Sequence, residues 1–300
     1  MSFNALYEIP SETEYIFVSD FFASDLVGGC ELTLEALYLA CPGKTFKIRS
    51  QQLTTDLIKK GKDLKWILVN FTGVPKDMLV ELATSGVSYS IVEADYKYCL
   101  YRSSHLHKLK TGNECDCNTT DVGRFIYGFF RRAKSVHFMS QGQLNEYFRL
   151  FPNMQAWPNG KLVVQGSTFL PETLDKLTGL FHATKQVTPV WAVLGGGSWI
   201  KNQVETETYC KKNKIAYELI GGLTPEEFLP VLSKFKGLVF HPMGFDTAPR
   251  LTIESKLLGL ELDLNENVQH KNEKWFTGNR EECLEHLKEL PEKFWKDVLV

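Results

Sequence analysis

The chain has 300 residues, 43% hydrophobic and 23% charged. Those proportions exclude a disordered or collagen-like polymer, and a chain of this length, one large domain or two ordinary ones, buries roughly 75% of its unfolded surface. Lys and Arg number 34 against 36 Asp and Glu, a formal charge of −2, which excludes a general basic coat for nucleic acid and leaves only a local patch open. The first residues, MSFNALYEIPSETEY, lack the basic start and apolar run of a secretory signal, and no stretch approaches the ~20 apolar residues that cross a bilayer. Seven scattered cysteines (Cys30, Cys41, Cys99, Cys115, Cys117, Cys210 and Cys283) point to reduced thiols and a cytoplasmic setting.

Along the chain, short apolar, β-branched runs alternate with helix-length segments. In the first half the strand candidates are 15–19 (YIFVS), 46–50 (FKIRS), 66–71 (WILVNF), 88–94 (SYSIVEA), 135–140 (SVHFMS) and 161–166 (KLVVQG), with helices such as 31–40 and 75–84 between them. The second half repeats the pattern with strands at 190–195 (VWAVLG), 215–220 (IAYELI), 237–241 (GLVFH) and 260–264 (LELDL). Near-continuous apolar strands separated by helices predict parallel sheets covered on both faces. Thr224-Pro225-Glu226-Glu227 reads as a helix start, with a capping Thr, Pro at the first helical position and Glu three residues after the cap; Pro230 is expected to kink that helix.

The fold class predicted is α/β, two Rossmann-like doubly wound domains facing a cleft. Their expected bounds are 1–175 for an acceptor-side domain and 186–278 for a nucleotide-binding domain, joined near 171–189. A helical tail, 279–300, is expected to return to the first domain, divided in two by Pro291. Folds of this kind bind ligands beyond the carboxyl ends of their strands.

Three strand-to-helix loops carry candidate chemistry. After the first strand comes the pair Gly28-Gly29, then Cys30-Glu31 and a helical pattern. A glycine pair there is either a plain turn or a loop whose amides approach an anion at a helix N-terminus. The second loop is Gly195-Gly196-Gly197-Ser198-Trp199-Ile200-Lys201-Asn202, where glycines permit close approach and a lysine neutralises phosphate, or where the lysine is only solvated. The third runs from His241 through Asp246-Thr247-Ala248-Pro249-Arg250 to Glu254, with the two carboxylates eight residues apart. Amides from Asp246 to Ala248 are candidates for a diphosphate, Arg250 for a charge-assisted contact and Glu254 for ribose hydroxyls. The plain alternative has Asp246 capping the helix and Arg250 paired with Glu254.

Taken together, these loops resemble the GT-B glycosyltransferases of the retaining, nucleotide-sugar-dependent kind. That family has a glycine pair followed by Ala-Glu after its first strand, matched here by Gly28-Gly29-Cys30-Glu31. Its second domain opens with Gly-Arg and, a few residues on, Lys-Gly. Here Gly195 and Lys201 match, while Gly196 and Asn202 replace the Arg and the last Gly. Its pair of glutamates with seven residues between them corresponds to Asp246 and Glu254. The resemblance implies a transferase moving a sugar from a nucleotide-diphosphate donor, UDP by preference, to an acceptor hydroxyl of a glycan, a lipid-linked sugar or DNA. It implies that Lys201 approaches the diphosphate, Glu254 holds the ribose, Asp246 lies near the transferred sugar, and Gly28 and Gly29 face the donor from the other domain, with Arg250 substituting for the missing Arg. No cofactor or metal is expected, the donor's charge falling to Lys201 and Arg250. The other readings retained are a nucleotide-sugar epimerase of the same fold and a binding protein without turnover.

On the acceptor side, Glu93 and Asp95 end the fourth strand where relatives often place a His-Asp pair; Asp95 is the candidate for orienting a hydroxyl. Between 97 and 134 stand eight basic residues, Lys97, Arg102, Lys108, Lys110, Arg124, Arg131, Arg132 and Lys134, against Glu114, Asp116 and Asp121, a solvated face or a surface for an anionic acceptor. The same region gathers Cys99, His105, His107, Cys115 and Cys117. Such ligands suit zinc, but Cys-x-Cys departs from the usual spacing, and the expectation is reduced thiols beside exposed histidines.

Overall fold

The computed structural model describes residues 8–183 and 187–299. Two parallel sheets are formed. The first part of the chain runs β1 (Tyr15–Ser19), α1 (Gly29–Leu39), β2 (Thr45–Arg49), α2 (Thr55–Lys60), β3 (Lys65–Leu68), α3 (Lys76–Thr84), β4 (Ser88–Glu93), α4 (Ser104–Thr111), α5 (Asp121–Arg132), β5 (Val136–Phe138), α6 (Gln141–Leu150) and β6 (Leu162–Val164). The second continues α7 (Pro171–Ala183), β7 (Trp191–Leu194), α8 (Gln203–Lys212), β8 (Tyr217–Ile220), α9 (Pro225–Leu232), β9 (Gly237–Phe240), α10 (Arg250–Leu257), β10 (Glu261–Leu264), α11 (Lys274–Thr277) and α12 (Arg280–Leu299).

The sheets have orders β2-β1-β3-β4-β5-β6 and β10-β9-β7-β8, every named pairing being parallel. Strand residues alternate between two buried faces. Ile16 and Val18 join one core cluster of the first sheet, while Tyr15 and Phe17 join the other with Leu34, Leu37 and Trp295. That arrangement is why the strands read as continuous apolar runs. In each sheet the order reverses beside its first strand, between β1 and β3 and between β7 and β9, the topological switch points at which doubly wound sheets bind ligands.

Three expectations change. The crossover precedes residue 171, because Phe169 of the connection and Leu174 and Leu177 of α7 already belong to the second core with Leu238, Phe240 and Ile253. Residue 186, where the second domain was expected to open, lies outside the described residues. The tail packs on both domains, with Cys283, Leu287 and Leu290 in the second core and Phe294, Trp295 and Val298 in the first. It is one helix, running through Pro291. Proline costs a helix interior about 3 kcal/mol, and burial of both flanks outweighs it. Thr224 and Glu227 form the capping box expected at the start of α9, which passes Pro230 and ends at Leu232. Among the described residues no helix is long and apolar enough to cross a membrane.

Candidate active site between the domains

At the first switch point, Asp20 follows β1 and its carboxylate accepts the amides of Thr72 and Gly73 at 3.1 and 2.8 Å. Those bonds tie the loops after β1 and β3 together at the strands' carboxyl ends. Beside them, Asp95 follows β4. Its carboxylate is held by Lys97 at 3.1 Å and by Arg102, and Arg102 also donates to Asn70 Oδ1 at 2.6 Å. Lys97 reaches Glu93 at 3.3 Å, and Glu93 accepts from the Tyr147 hydroxyl at 2.8 Å. Burial pushes the Glu93 carboxyl up, to about 7, against the pull of Lys97. Burial would also raise Asp95, but Lys97 and Arg102 more than offset it and hold its carboxyl below the usual range. Two adjacent carboxylates therefore differ in proton affinity, with Asp95 the anion.

At the second switch point, Lys201 closes the glycine loop after β7 and meets Asp246 of the loop after β9 at 3.2 Å. The backbones of these loops also join, Met243 N–H donating to the Ile200 carbonyl at 3.0 Å. Gly195 follows β7, its amide on the Ile220 carbonyl. Gly196 has φ 140, a conformation that favours glycine, and its amide is taken by Gln203. A Cβ at Gly244 would come 2.9 Å from His105 Cβ and 3.2 Å from the Trp199 ring, so glycine there lets the two domains and the Lys201 loop converge.

A cleft of about 220 Å³ lies between the two switch points, lined by Asp95, Arg102, Trp199, Phe245, Asp246 and Thr247 among others. Thr247 Oγ1 crosses it to the Ala94 carbonyl at 2.9 Å. Asp95 and Asp246 thus face one space from opposite domains, each carrying a basic partner. A larger cavity of about 980 Å³ lies toward α6, α11 and α12 beside Gly142, Gln269 and Trp275; none of the predicted site residues lines it.

The structure revises the expected phosphate cradle. Asp246 N–H is engaged by the Asn267 carbonyl at 2.8 Å, Ala248 is buried with its carbonyl on Ser167, and α10 starts only after Pro249. Arg250 is turned inward. Its guanidinium donates to the Thr168 carbonyl at 2.5 Å, stacks on the Phe169 ring at 3.7 Å and lies 3.6 Å from Glu254. Gly29 packs against it, a Cβ there falling 3.7 Å from Arg250 Cδ, and Gly28 caps α1. Arg250 is thus occupied by its own chain, and the plain alternative of an Arg250–Glu254 pair is what forms. Burial lowers the affinity of Arg250 for its proton and raises that of the Glu254 carboxyl.

The basic run of 97–134 does not make one patch. Lys97 and Arg102 turn onto Asp95, Lys108 and Arg124 pair with Glu114 and Asp121, and Arg132 and Lys134 bind carbonyls of Ala83 and Val298. The hold of Lys97 and Arg102 on Asp95, and of Asn70 on Arg102, was not read from the sequence, although Arg102, seven residues after Asp95, was visible as a charge.

The architecture is a GT-B-type fold of two Rossmann-like domains. No protein-family model and no curated protein sequence matches the chain. Among solved structures it is similar to Anabaena Alr3699/HepE in complex with UDP-glucose, with TM-score 0.51 and 12% identity, covering 95% of this chain and 91% of that one. The same protein in complex with UDP and glucose aligns with TM-score 0.50 and 10% identity, over 96% and 92% of the chains. A UDP-N-acetylglucosamine 2-epimerase from Rickettsia bellii aligns with TM-score 0.49 and 9% identity, over 93% and 87%.

Proposed function

We propose that this chain transfers a sugar from a nucleotide-diphosphate donor, UDP-linked by preference, to an acceptor hydroxyl, with retention and without an essential metal. One observation carries the reading: Asp95 and Asp246 line one cleft from opposite domains, each with a basic partner. The fold is shared with a protein solved with UDP-glucose.

As the sugar–phosphate bond breaks, negative charge grows on the diphosphate, and a fixed cation stabilises that state more than the ground state. Lys201 supplies it. In the free protein its partner is Asp246, and the donor's diphosphate competes for the same ammonium. Asp246, released, lies beside the transferred sugar. Glu254 holds the ribose, and Arg250, spent on Thr168 and Glu254, positions that carboxylate instead of touching phosphate. Gly28 and Gly29 bring the start of α1 toward the donor side, and Gly195, Thr247 and Ala248 shape the loops around it. Asp95, kept ionised by Lys97 and Arg102, accepts a hydrogen bond from a sugar or acceptor hydroxyl. The 220 Å³ cleft is below the about 300–1,000 Å³ of ligand pockets. Donor entry therefore needs the domains to part at the Thr247–Ala94 contact.

Product analysis of the full chain with UDP-sugars tests this. UDP released together with a sugar adduct or free sugar, lost in Asp246→Asn, is the expected result. A donor returned as its epimer, or bound and never cleaved, would replace transfer with one of the two other readings.

A further inference from the structure

Outside the cleft, three sulfurs and an imidazole converge. Cys99 Sγ, His107 Nδ1, Cys115 Sγ and Cys117 Sγ all lie within 4.8 Å of one another. Cys117 Sγ is 3.3 Å and Cys99 Sγ 3.9 Å from His107 Nδ1, and the Cys99 and Cys115 sulfurs are 3.5 Å apart. Around a tetrahedral zinc with Zn–S near 2.3 Å and Zn–N near 2.0–2.1 Å, ligand atoms are separated by about 3.5–3.8 Å. The observed spacings bracket that value. Cys99, His107 and Cys117 are buried and Cys115 is half-buried, so the ligands enclose the point they share.

The backbone is built to bring them there. The chain leaves β4, places Cys99, and starts α4 with Ser103 accepting the Leu106 amide at 3.3 Å. His107 stands one turn in. Gly112, at φ 77, ends α4 in the left-handed conformation and turns the chain back, so that Cys115 and Cys117 return to Cys99. Gly123 of α5 sits on this turn, where a Cβ would come 2.2 Å from the Cys117 carbonyl. His105 is not a member; its ring packs on Phe245 at 4.7 Å.

We propose that Cys99, His107, Cys115 and Cys117 bind one zinc ion as a closed structural site. The sequence gathers these residues with His105, and their spacing speaks against zinc because the four ligands are separated by seven, seven and one residues; the return of the chain after Gly112 is what joins them. Binding displaces three thiol protons and leaves a neutral imidazole as fourth ligand, with no open position for catalysis. The site pins both ends of the stretch carrying Tyr101, Arg102, Ser103 and Leu106, which line the cleft. Its role is therefore to hold Arg102 against Asp95.

The test is metal content of the full chain, purified under reducing conditions without added metal. About one zinc per chain is expected, falling at least tenfold in Cys117→Ser and unchanged in Cys41→Ser. Cobalt(II) exchanged for zinc should give the visible absorption of a tetrahedral thiolate site. Cys115→Ser, at the less buried thiol, should alter that spectrum, which keeps the question answerable if Cys117→Ser does not fold. A reduced, folded chain that binds neither zinc nor cobalt overturns the assignment.

Discussion

Arg250 and Glu254 stand four residues apart on α10, both shielded from water, and the stacking of the guanidinium on Phe169 leaves little room for a phosphate. Removing one member of a buried pair strands the other's charge, at a cost of about 3–5 kcal/mol. Arg250→Ala is therefore expected to lower unfolding free energy by about that amount, measured by denaturant titration; a stability within error of the parent would contradict the buried pair. At this scale the sequence was informative where a motif is contiguous. Lys201 and Asp246 stand in readable loops, with Glu254 on the helix that follows, and the first two prove to be paired. It was silent where partners come from different strand ends, as where Asn70 after β3 meets Arg102 after β4, because no local spacing encodes that meeting. Arg250 was misplaced for a related reason: its partner Thr168 lies on the connection between domains, far from the motif.

Among the elements, the strands were the most legible, since both faces of each sheet are buried and the apolar runs are unbroken. The tail was less so. Pro291 predicts a break, yet α12 is continuous because its two halves dock on different cores. Trp295 anchors the second half, with its Nε1 on the Leu37 carbonyl at 3.0 Å and its ring edge-on to Tyr15 at 5.1 Å. Trp295→Ala is expected to cost about 3–5 kcal/mol, the range for a buried Trp. A loss below about 1 kcal/mol, typical of surface substitutions, would show that the tail is not part of the first core. The domain crossing was misread for a parallel reason. The helix 171–183 lacks strand signals and looks like a linker, but Leu174 and Leu177 are core residues.

For the whole molecule, acid should be destabilising. Burial lowers the imidazole of His137 to about 3, that of His270 to about 3 and that of His286 to about 4. In the unfolded chain each titrates near about 6.5. Between about pH 6.5 and 4 the unfolded state thus binds more protons, so stability falls as pH is lowered. Glu31, Glu93, Glu254 and Glu273, whose carboxyls burial raises, act with opposite sign, while His105, lowered by burial, adds to the imidazoles. The melting temperature is expected to be lower at pH 5 than at pH 7, with a smaller difference in His137→Asn; a rise on acidification would contradict the assignment of these imidazoles as buried and neutral.

The central claim is a diphosphate site at Lys201, and calorimetric titration of the full chain with UDP, GDP and ADP, without added metal, tests it most directly. One preferred diphosphate should bind in the micromolar range. Lys201→Ala should weaken it by about 1.5–3 kcal/mol, the value of a hydrogen bond to a charged group, or roughly ten- to a hundredfold. No binding of any of the three by the folded chain, or binding indifferent to Lys201→Ala, would contradict the claim.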